Sequence, residues 1–220
     1  MDFPIFPGDG MHSAVELRAE HDLTDIPAIV RGSVKLGLLE SVLVLVISLV
    51  SRFLPNGVLQ TVVLAVIVAV GLFAVTFLPG LWTRPRTIEG IAGAAGIGLG
   101  AAVVYLFIDV TLLQNIGTYG HRWYELGGGS NWWYHPVWWM VGTFLPWFGA
   151  WSLANQLVKG RPVSPGAAFG LALGCAIAFA VLATVIHFPG AGWNLPTFGV
   201  AFLPGLALAT VLSGLGAKRA

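Results

Sequence analysis

Six long apolar runs constrain this chain more than any other feature. They lie near residues 36–54, 58–80, 88–113, 132–156, 165–188 and 196–216. Each is about 19 to 26 residues long, the length that crosses roughly 30 Å of hydrocarbon at 1.5 Å rise per residue. Within a bilayer every backbone polar group must be satisfied inside its own segment, so these runs predict helices. The fold class read from them is all-α, a polytopic membrane protein with a bundle of six transmembrane helices. Hydrophobic residues make up 56 % of the chain and charged residues only 10 %, against about 25 % charged in a soluble domain.

The basic residues set an orientation. Arg18, Arg31, Lys35, Arg84, Arg86, Lys159, Arg161, Lys218 and Arg219 fall on one side of the pattern, and only Arg52 and Arg122 on the other. Lys and Arg in short connections stay cytoplasmic. Both termini are therefore expected inside (N-in/C-in), in a cell inner membrane. Residues 1–35 form a cytoplasmic N-terminal segment, 36–216 the six-helix domain and 217–220 a cytoplasmic tail. The N-terminal segment holds six of the ten acids and no basic, apolar leader, so no cleavable signal peptide is expected. Ser13 and Glu16 fit a capping box ahead of a short amphipathic helix reaching about Asp22. Asp25 can cap a following helix, with Pro27 in its first turn, that runs into the first span. A net charge of +1 gives no case for nucleic acid.

Small residues recur every four positions in three of the runs. In the fifth they are Gly166, Gly170, Gly174 and Ala178; in the sixth, Gly205, Ala209, Ser213 and Ala217; in the third, Ala92, Gly96 and Gly100 beside Ala94, Gly98 and Ala102. Such faces let helix backbones approach closely. The fifth run is expected at the centre of the bundle, with its glycine face buried. The second run, rich in Val, Leu and Ile, is expected to face lipid broadly. A lone cysteine, Cys175, reads as a packing residue.

Aromatics crowd the entry to the fourth run: Trp132, Trp133, Tyr134, Trp138 and Trp139, with His135 among them. Tryptophan favours the headgroup interface, so an aromatic belt accounts for much of this density. The excess would suit a partner-subunit surface, or a lipid, quinone or pigment pocket with His135 and His187 as cofactor ligands. Trp147 and Trp151 read as a second belt, and Pro146 should kink its helix.

Among ionisable residues, Glu89 sits in a first helical turn, where the macrodipole favours an anion, and Glu40 reads as lying close to the inner headgroups and Lys35. Asp109 stands out, flanked by Phe107, Ile108, Val110 and Leu112. An acid within the membrane is a functional candidate by default. Asp109, His121, Glu125, His135 and His187 map to one outer boundary, as a candidate metal-ligand set with carboxylate and imidazole donors. No HxxH, HExxH or CxxC motif orders them, and the cofactor stays open. An imidazole is expected within reach of Asp109. The leading functional expectation is a non-enzymatic accessory or scaffold subunit in contact with lipid and other membrane subunits. The alternatives are a small-molecule or ion transporter with a site near Asp109, and a metal-, haem- or pigment-binding protein using the outer histidines.

Overall fold

The computed structural model describes residues 24–85, 87–120 and 134–216. Among them the chain is all-helical. The helices are α1 (Ile26–Phe53), α2 (Val58–Thr83), α3 (Ile88–Ile108, continued by a π turn over Asp109–Leu113), α4 (Tyr134–Val158), α5 (Pro165–Val185) and α6 (Leu195–Gly214). Five of the six are long and apolar enough to cross a membrane, which makes this a multi-pass membrane protein. The remaining helix, α4, has the length. Its tryptophans, prolines and amide side chains lower its mean hydropathy.

Successive helices alternate in direction. One end of the bundle carries Asp25, Arg84, Lys159 and Arg161, and is called here the basic end; the other carries Phe53, Leu113 and Val185. Pro27 opens α1, as expected, although the Asp25 side chain makes no cap bond. Because α1 begins at Ile26 and runs unbroken to Phe53, Glu40 lies at its midpoint rather than near its start. The short helix read around Ser13–Glu16 lies outside the described residues, as does the tail.

The bundle centres on α3 and α4. Helix α3 packs on α1 along one face and α4 along another, while α4 also meets α2 and α6. Glycine makes these contacts close. A Cβ at Gly98 would overlap the Gly142 carbonyl and the Pro146 ring, and one at Gly149 would overlap the Thr76 carbonyl. Pro146 thus serves as a packing element against α3. On the α1 side, a Cβ at Gly37 would lie 2.7 Å from the Ala101 oxygen. Hydroxyls and amides supplement this packing. Ser33 donates to the Ile29 and Ile97 carbonyls, and Asn155 Nδ2 donates to the Thr210 carbonyl (3.1 Å) and Ser213 Oγ (2.9 Å).

The expectation for α5 is corrected. This helix is peripheral and packs chiefly on α6. Its buried stripe is Ala168, Ala172, Ala176 and Ala180, with Gly205 of α6 seated over Ala176. Gly166, Gly170, Gly174 and Ala178 are exposed, and a Cβ at any of the three glycines meets nothing within 4 Å. Two period-four stripes run side by side on α5, and alanine, whose methyl group fills space against α6, took the interior. Helix α2 faces outward as expected: 22 % of its most apolar window is buried, against 50 % for α3. Phe169 of α5 meets Phe73 of α2 edge-on at 5.4 Å, linking the α5–α6 pair to the rest.

Candidate functional site

Asp109 begins the π turn that ends α3, where the Gln114 N–H reaches back five residues to the Asp109 carbonyl (2.9 Å). Such turns re-aim side chains and gather at functional sites. Tyr105, Asp109 and Leu113 share one inward face at spacing four, and Asp109 is fully buried. Its carboxylate accepts from the Tyr119 hydroxyl at Oδ1 and from Gln114 Nε2 at Oδ2 (2.7 Å). The Tyr119 hydroxyl also lies 3.2 Å from that of Tyr105. The Tyr105 ring packs on Trp138 of α4 with centroids 4.3 Å apart. Val44, Leu106 and Leu113 complete the apolar shell.

A second layer fastens this end of the bundle. The Ser48 hydroxyl donates to the Thr118 carbonyl, and Arg52 Nη2 to the Gly117 carbonyl (2.6 Å). Gln60 of α2 donates to the Leu54 carbonyl (2.9 Å) at the end of α1. The turn after α3, with Gly117 at φ +70°, is thereby tied to α1. Gly117 is needed there, since L side chains rarely adopt that conformation.

The residues named from sequence divide three ways. Asp109 is buried and hydrogen-bonded as an intramembrane acid should be. His187 is exposed and makes no hydrogen bond to Asp109. It ends α5 in the left-handed region at φ +54°, a place glycine usually takes. Trp138 is half-buried against Tyr105, and Trp139 is exposed. His121, Glu125, Trp132 and Trp133 lie outside the described residues, and of His135 only the helical backbone is described. Among the described residues no three His, Cys, Asp or Glu side chains form a group able to hold a metal. The partners of Asp109 seen here, Tyr119 and Gln114, were not anticipated. The signal was present in the close spacing of Gln114 and Tyr119 to Asp109 beyond the end of the run.

Glu40 lies deeper in the bundle than the hydropathy boundary predicts. It is 4 % exposed, and its Oε2 has no hydrogen-bond partner among the described residues. It lines a cavity of about 190 Å³ between α1, α2 and α4, with Val44, Gly71, Val75, Trp138 and Leu145. Further cavities lie apart from it. An apolar one of about 410 Å³ sits between α5 and α6 near Phe188 and Pro204. A polar one of about 260 Å³ sits at the basic end beside Ser152, Lys159 and Arg161. The belt pair Trp147 and Trp151, with ring centroids 5.6 Å apart and planes tilted by 46°, packs over Ile91, Ala94, Ala150 and Ala154.

Compared with known proteins, the chain matches no family model, no curated protein and no solved structure.

Proposed function

We propose that this chain is a non-enzymatic subunit of a larger inner-membrane assembly. It crosses the bilayer six times with both termini cytoplasmic, and α5 is its docking helix. The open glycine face of α5 carries this reading. Gly166, Gly170 and Gly174 are exposed with free space above them, flanked by exposed Leu171 and Ile177. Glycine within a helix costs about 1 kcal/mol relative to alanine. Against lipid, that smooth surface gains nothing; against a second helix it permits close backbone contact. The occupant is a transmembrane helix of another subunit. The nine-to-two distribution of basic residues supports the orientation.

The test is the size of the particle extracted from native membranes in mild detergent. The parent should migrate well above its own 23.3 kDa plus micelle. Gly170→Leu should release the chain as a folded monomer. A parent that extracts as a monomer contradicts the proposal.

A second reading, small-molecule or ion transport near Asp109, is favoured by the buried Asp109–Tyr119–Gln114 network beside a π turn. Proteoliposome flux assays comparing the parent with Asp109→Asn test it. Flux unchanged by that substitution counts against it.

A further inference from the structure

Glu40 occupies an unusual position for an acid that the assembly reading does not use. It sits midway along α1, on the same inward stripe as Ser33, Leu36, Gly37 and Val44. Its carboxyl group borders an apolar cavity, and one of its oxygens has no partner among the described residues. An acid in such a place is costly to hold, by a few kcal/mol on insertion scales. Replacing it with leucine would remove that cost, so a ligand that completes the carboxyl group gives it a use. We propose that this cavity binds a lipophilic organic cation, held by the Glu40 carboxylate.

The chemistry of the walls selects that class. Every other residue lining the cavity is apolar or aromatic. A small inorganic cation needs about six oxygen ligands, and Glu40 supplies at most two. A neutral apolar molecule would leave the Glu40 oxygen still unpaired. An organic ammonium spreads its charge over alkyl groups, which the Val44, Val75 and Leu145 side chains can contact. Trp138 borders the same cavity, and an indole face attracts such a cation. Size agrees as well. A cavity of about 150 Å³ accommodates benzene, so 190 Å³ suits one ring with a few further heavy atoms. Gly71 forms part of the α2 wall, and its missing side chain keeps the space open. A Cβ there would meet only Leu43, at 3.4 Å, an ordinary van der Waals contact, so the backbone at Gly71 accepts a side chain that enters the cavity.

The site rests on α1, α2 and α4 and not on the docking role of α5, so the two proposals fail separately. The experiment titrates benzyltrimethylammonium into the purified full chain in detergent, read by calorimetry. The parent should bind one equivalent saturably. Glu40→Gln, which keeps the shape and removes the charge, should weaken binding by about tenfold or more. Neopentylbenzene, the uncharged carbon analogue, should bind the parent less tightly than the cation and be indifferent to Glu40→Gln. Gly71→Leu, which fills the cavity and keeps the acid, should also abolish cation binding while melting like the parent. It locates the site even where Glu40→Gln folds poorly. The proposal is overturned by absence of saturable binding to the parent, by equal affinity in folded Glu40→Gln, or by undiminished binding in Gly71→Leu.

Discussion

Asp109 and Glu40 are both buried acids on helices that meet, yet they are accommodated differently. Asp109 is held by a phenol and an amide from the turn just beyond it. Tyr119→Phe removes one donor and leaves a carboxylate oxygen short of it. It should cost about 1–3 kcal/mol, seen as a drop in melting of about 2–4 °C per kcal/mol for a chain of this size. An unchanged melting point would mean that the bond contributes nothing net. His187 supplies the opposite case. It is exposed and holds a left-handed backbone conformation that disfavours a side chain. His187→Gly should be neutral or stabilise by up to about 1 kcal/mol in thermal melts. A clear loss of stability would show that the imidazole has a structural partner. The sequence marked Asp109 as the acid to explain, through its apolar neighbours. It misplaced Glu40, because the apolar run begins ten residues after the helix does. Ile26, Val30 and Val34 extend the helix among polar residues, and a hydropathy boundary misses that continuation.

At the scale of helices, glycine stripes mark smooth surfaces without saying which way they face. Gly98, Gly142 and Gly149 sit where neighbouring backbones pass. Gly98→Val should therefore cost about 1–3 kcal/mol or more by overpacking, measured as lost folded yield and a lower melting point. Gly170→Leu should leave the melting of the isolated chain unchanged, since its Cβ meets nothing. Equal effects of the two substitutions would contradict the helix arrangement. The helices and the outward face of α2 were legible from run length and from its Val, Leu and Ile content. The role of α5 was not, because period four is satisfied equally by Gly166–Gly170–Gly174 and by Ala168–Ala172–Ala176. Only packing against Gly205 decides between them.

For the whole molecule, the fold provides two specialised regions: a tied-down end around Asp109, Arg52 and Ser48, and a peripheral α5–α6 pair with one face unoccupied. The account's central claim is that another helix covers that face in the membrane. A photo-reactive benzoylphenylalanine at position 171, where exposed Leu171 flanks the glycine face without forming it, irradiated in intact cells, tests it most directly. Position 62 on the lipid-facing side of α2 serves as the control, Val62 being exposed. The account predicts a discrete protein adduct from position 171 and none from position 62. Equal labelling from both positions, or no protein adduct from position 171 while the chain remains folded, would contradict it.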